Sequence, residues 1–87
     1  MKSESSIQTL RKEIDSLDGE ILQLLLKRTQ TVKRIIDEKE KLNLAHQDSS
    51  RESEILKKIE RLTPYAQERK VLQMIYRAIF STHKVYS

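Results

Sequence analysis

The stretch IQTLRKEIDSLDGEILQLLLKRTQTVKRIIDEKEKL, residues 7–42, decides the fold. Apolar residues recur in it at Ile7, Leu10, Ile14, Leu17, Ile21 and Leu24, an alternation of three and four that lines them up on one stripe of a helix. The same register returns at Ile35 and Leu42. No proline interrupts the stretch, so it reads as one helix of about 36 residues, roughly 54 Å long at 1.5 Å per residue. In its second half the stripe is broken. Arg28 and Thr31 stand where the alternation asks for apolar side chains, and Glu38 and Lys39 where another is due. A cation on a packed stripe needs a partner, because an unpaired buried charge is strongly unfavourable. The break is therefore where a bound anion, and with it function, is to be sought.

Outward from this helix the punctuation is clear. Ser5 with Gln8 three residues on has the form of a capping box, which puts helix one at about 5–42 with residues 1–4 ahead of it. Residues 43–48, NLAHQD, lose the periodicity and read as a loop of ordinary length. Ser49 and Glu52 form a second capping-box pattern, and Ile55, Leu56, Ile59 and Leu62 give a short helix, about 49–62, one apolar face. Thr63-Pro64 signals the start of a third helix, about 64–86, with Ala66, Val71, Leu72, Ile75, Tyr76, Ile79, Phe80 and Tyr86 apolar. The fold class is all-α: one domain over 1–87 with one very long helix, one short and one medium. The long helix is about twice the length expected from a radius of gyration near 12 Å, so an oligomer built along it is expected. Gly19, the single glycine, lies inside the long helix, where it marks either a close helix approach or simple tolerance.

Composition narrows the function. With no cysteine there is no disulfide, thiol nucleophile or cysteine zinc site, which suits a reducing compartment, the cytoplasm by default. The amino terminus MKSESS is polar and the run Ile21–Leu26 is interrupted by Gln23, so neither a signal peptide nor a membrane partner is expected. The net charge of +4 suits an anionic ligand. Nucleic acid is not expected, because the cations alternate with acids and only 5% of residues are aromatic. Neither His46 nor His83 has a partner at metal-ligand spacing, so no metal is expected.

The candidate site residues are mostly charged. Arg28 and Lys39 are eleven positions apart, about 16 Å and nearly three turns, so they project from one face and would leave a gap the size of a small molecule. Pairing with acids on a solvated face is the competing reading. Arg11 lies too far from Arg28 in one chain to share a small ligand, but an antiparallel second copy would bring the two together twice by symmetry. At the start of helix two stand Asp48, Arg51 and Glu52. The acids suit the helix dipole, whereas a cation there is disfavoured and would be held for a ligand. His83 continues the apolar line of helix three, either as a core-edge histidine or as a pocket group.

The run L-R-K-E-I-D-x-L-D-x-x-I-L-x-L-L-x-x-R from Leu10 to Arg28, then Lys39, then D-x-x-R-E-x-x-I-L from Asp48 to Leu56, resembles the all-helical chorismate mutases, the AroQ class. The resemblance implies an intertwined antiparallel homodimer that rearranges chorismate, a small dianion, to prephenate without a cofactor in aromatic amino acid biosynthesis. By position it implies that Arg28 and a second copy's Arg11 bind the two carboxylates and that Lys39 donates to the ether oxygen. Asp48 and Glu52 would face the substrate hydroxyl, with Arg51 at the carboxylate or the helix start. The family's serine and its following glutamine or glutamate fall on His83 and Ser87, a departure that leaves the second ether-oxygen donor open. A 4-amino-4-deoxychorismate mutase, an isochorismate pyruvate lyase and a catalytically silent dimer regulating an aromatic-pathway enzyme are the alternatives. A plain coiled-coil module explains the stripe but not the cations that break it.

Overall fold

The computed structural model describes residues 2–45 and 49–86. Among them lie three α-helices, α1 (Lys2–Lys41), α2 (Ser49–Leu62) and α3 (Ala66–Ser81), followed by a 3₁₀ turn, Thr82–Tyr86, and there is no strand. The chain divides into two compact units, Met1–Asp37 and Glu38–Ser87.

The first unit is helix throughout its described length. It begins ahead of Ser5, so the capping-box signal at Ser5 and Gln8 falls inside the helix. Ser5 contributes its carbonyl, which accepts the Thr9 hydroxyl at 2.9 Å. Thr31 behaves likewise, its hydroxyl donating to the Lys27 carbonyl at 2.9 Å, so a polar residue on the stripe is satisfied by its own helix. The stripe itself is uncovered: Ile7, Leu10, Ile14, Leu17, Ile21 and Leu24 all keep at least 50% of their surface. Ile36 is the buried side chain of this unit.

The second unit opens on the end of α1, which a Schellman motif closes. Asn43 adopts a left-handed φ of 56°, the Leu44 amide donates to the Lys39 carbonyl at 2.8 Å, and the Asn43 amide donates to the Glu40 carbonyl at 3.2 Å. Asparagine tolerates this conformation better than most residues, so the helix stops where the sequence reading places a loop.

The corner between α2 and α3 uses its residues differently from the threonine–proline signal. The Thr63 hydroxyl and amide both donate to the Ile59 carbonyl, closing α2, and Thr63 is buried. Helix α3 opens at Ala66 with Tyr65 as its N-cap, and no side chain caps it. Pro64 thus lies outside the helix. Arg69 reaches back from the first turn of α3, donating from Nε to the Thr63 carbonyl at 3.1 Å and from its guanidinium to the Pro64 carbonyl at 3.2 Å. These bonds satisfy carbonyls that the turn would otherwise leave without partners. Helices α2 and α3 pack together over buried Ile59, and Tyr76 and Phe80, one turn apart, meet at tilted rings 6.1 Å between centroids.

Candidate active site

Burial separates the charged residues sharply. Among the described lysines and arginines, Arg28, Lys39 and Arg69 are half-buried and all others are exposed. Arg69 is engaged with the backbone of the α2–α3 corner. Among the described acids, Glu52 is half-buried and the rest are exposed. Withdrawing a charge from water is unfavourable unless something compensates it, so half-burial selects these groups from a surface rich in solvated ones. With Arg69 assigned to the corner, the described lysines, arginines and acids reduce in this way to Arg28, Lys39 and Glu52.

Each is placed by its helix. Arg28 sits on the apolar stripe in the first unit, where the register points it the same way as Leu17 and Leu24. Arg11, beside the stripe, is exposed. Lys39 stands in the last turn of α1, where the helix dipole favours a cation, and its carbonyl is the acceptor in the Schellman bond. Glu52 lies in the first turn of α2, where the dipole favours an anion. The helix starts at Ser49, and Asp48 lies outside the described residues, as does Ser87. Arg51 is exposed and pairs with Glu54 at 3.0 Å, an exposed i, i+3 contact of small energetic weight.

His83 lies in the 3₁₀ turn, half-buried. Its Nδ1 is sealed from solvent and has no hydrogen-bond partner among the described residues. The turn continues α3 directly: the Ser81 hydroxyl donates to the Arg77 carbonyl at 3.0 Å and the Thr82 hydroxyl to the Ile79 carbonyl at 2.6 Å. Lys39, Arg51, Glu52 and His83 belong to the second unit, Arg11 and Arg28 to the first. Among the described residues no group of three or more histidines and acids is placed to hold a metal ion.

Half-buried guanidinium and ammonium groups donate to carboxylates and other anionic oxygens, the guanidinium in bidentate fashion. A half-buried carboxylate adds an acceptor for a hydroxyl. Taken one by one, the two cations suit anionic oxygens and the carboxylate suits a hydroxyl. Arg69 is the half-buried cation that the sequence reading did not single out, and its role is structural; its position four residues past the N-cap of α3 was the available signal.

Comparison with known proteins agrees with this chemistry. The chain is 44% identical over 81 residues to a bifunctional chorismate mutase/prephenate dehydratase of Aquifex aeolicus, covering 86% of this chain and 22% of that protein. The chain thus spans less than a quarter of the length of the relative it matches. No solved structure matches it. The model of the chorismate mutase type II family matches residues 10–86, nearly the whole chain, from the second residue of the long helix's stripe to the closing turn, and the chain belongs to that family.

Proposed function

We propose that the chain is a chorismate mutase that converts chorismate to prephenate. The observation that carries this reading is the half-burial of Arg28, Lys39 and Glu52, which with Arg69, engaged by the α2–α3 corner, are the half-buried members among the described lysines, arginines and acids. Chorismate is a dianion with a hydroxyl and an ether oxygen. Arg28 binds one carboxylate, and Arg11 of a second copy binds the other. Lys39 donates to the ether oxygen, where negative charge grows as the carbon–oxygen bond breaks and the new carbon–carbon bond forms. Glu52 and Asp48 face the hydroxyl, Arg51 orders the start of α2 or supports the carboxylate, and His83 and Ser87 close the carboxyl-terminal side.

The rearrangement moves no proton and needs no nucleophile. Catalysis then consists of holding a compact conformer and stabilising the developing charge, which fixed cations do without reorganisation. A second copy enters because the stripe from Ile7 to Leu24 is uncovered and because Arg11 and Arg28 are separated by about 25 Å of helix. An antiparallel homodimer covers the stripe and completes two equivalent sites. The relative's name joins a mutase to a prephenate dehydratase, so an enzyme consuming prephenate is the natural functional partner.

The test is loss of chorismate absorbance, with prephenate identified by its acid conversion to phenylpyruvate. Arg28→Ala is expected to lower kcat/KM about 10²–10³-fold with the helical circular dichroism unchanged, the range seen when one preorganised charge-stabilising donor is removed. Unchanged turnover in that variant would sink the assignment. Turnover of isochorismate or 4-amino-4-deoxychorismate in place of chorismate would move the same pocket to a related reaction.

A further inference from the structure

The net charge of the chain is not spread along it. Residues 49–87 carry eight lysines and arginines against four acids, and residues 1–48 carry nine against nine, so the whole excess of +4 belongs to α2, α3 and the turn that follows them. On α2 the cations gather on one side. Lys57, Lys58 and Arg61 stand at i, i+1 and i+4, away from the side that carries Ile55, Ile59 and Glu52, and all three are exposed. Among the described residues none of the three has an ion-pair partner, and Glu54, the acid on their side, is taken by Arg51 at 3.0 Å. The helix dipole accounts for Arg61 in the last turn, but Lys57 and Lys58 lie ahead of that turn, where the dipole asks for nothing.

We infer that Lys57, Lys58 and Arg61 are an electrostatic guide for the dianionic substrate: they raise its concentration at the second unit, and so help set KM, without touching it. The inference rests on the mutase reading for the identity of the dianion. Reach supports it. Residues 38–87 form the compact unit that holds Lys39 and Glu52, and a chain of that length packs to a radius of gyration of about 10 Å. The Debye length is about 30 Å at 0.01 M salt and about 8 Å at 0.15 M. At low salt every exposed cation of the unit therefore acts on a dianion arriving anywhere on it. The rearrangement moves no proton, so substrate and transition state carry the same total charge. A cation too distant to sense the shifting electrons stabilises both alike, and uniform stabilisation lowers KM while leaving kcat unchanged.

Steady-state kinetics of the full chain with chorismate, run from about 10 mM to about 0.5 M ionic strength, test this. The triple variant Lys57→Gln, Lys58→Gln, Arg61→Gln removes the charge and keeps good helix formers. One cation about 15 Å from a dianion in water at low salt changes its local concentration roughly twofold, so the triple variant is expected to raise KM about 3- to 10-fold at the low end, with kcat unchanged and the difference gone at the high end. Lys57→Arg, Lys58→Arg, Arg61→Lys keeps the charge and is expected to follow wild type at every salt concentration. A glutamine variant with wild-type KM at low salt, a loss that persists at high salt, a loss in kcat, or a charge-keeping variant as poor as the glutamine one overturns the inference while the mutase reading stands. If wild-type protein turns over no chorismate, that reading falls. Equilibrium dialysis of chorismate and of isochorismate at the two ionic strengths then decides: retention by wild type that exceeds the glutamine variant's at low salt alone keeps the inference, and equal retention, or none, ends it.

Discussion

The stripe of α1 and the α2–α3 corner are built from similar apolar residues and reach opposite states. Along α1, Leu17 and Ile21 each keep 50% of their surface, whereas on α2 Ile59 keeps 6%. At the corner, a buried threonine, an arginine bracing two carbonyls and an aromatic pair surround a local core within one chain. The stripe has the periodicity of a core without any side chain over it. Six large apolar residues in one register, at a spacing that specifies helix pairing, make the stripe the surface on which the proposed dimer would pack. The second unit buries Ile59 and Thr63, whereas the first leaves its apolar stripe exposed.

The largest effect is expected from breaking the stripe. Leu17→Glu places a carboxylate in the middle of the proposed seam, where a second copy would bury it without a partner. Sedimentation should show loss of the dimer, and turnover should vanish, because Arg11 and Arg28 act together only across two copies. Gln23→Glu adds the same charge off the stripe and should leave both unchanged. A Leu17→Glu protein that stays dimeric and active would mean that the stripe faces solvent and that the two regions differ only in exposure.

An intermediate effect sharpens the same contrast from the other side. Ile59→Ala removes a buried side chain from the second unit and should lower stability by about 2–5 kcal/mol in urea titrations. That cost is local to the chain, so the difference from wild type should not depend on protein concentration. The equivalent truncation at Ile14 should destabilise more as dilution is avoided and less as the dimer dissociates. Equal concentration dependence at the two positions would erase the distinction between a self-contained and a shared core.

Three helices and their order are legible because periodicity reports which face is apolar, and Arg28 marks the candidate anion site because it breaks that periodicity. The helix ends are not. Ser5 and Thr63 both have good N-cap chemistry, yet the Ser5 carbonyl accepts Thr9 in mid-helix and the Thr63 hydroxyl donates backward to Ile59. A hydroxyl can serve either the helix behind it or the one ahead, and local sequence does not say which. Asn43 was the readable signal for the end of α1, since asparagine just past the last apolar position suits the left-handed cap. The orphaned Nδ1 of His83 depends on what encloses the ring, which no spacing rule reports. For the same reason the sequence names Arg51 beside Glu52, but the fold leaves Arg51 exposed and draws Glu52 in.

The smallest expected effect lies at Gly19, and it tests which face of α1 is shared. Counting the stripe as heptad positions a and d, with Ile14 at a and Leu17 at d, Gly19 falls at f, on the side away from the seam. A Cβ built there meets no atom within 4 Å. Nothing in the chain therefore requires glycine, and its flexibility only destabilises the helix. Gly19→Ala should raise stability by about 0.5–1 kcal/mol, read as a higher urea midpoint, with the dimer and turnover unchanged. A gain confirms that partners meet α1 on the stripe alone. A loss of stability that grows with protein concentration would instead place a second helix against the face opposite the stripe, and the shared surface of α1 would then include both sides of the helix.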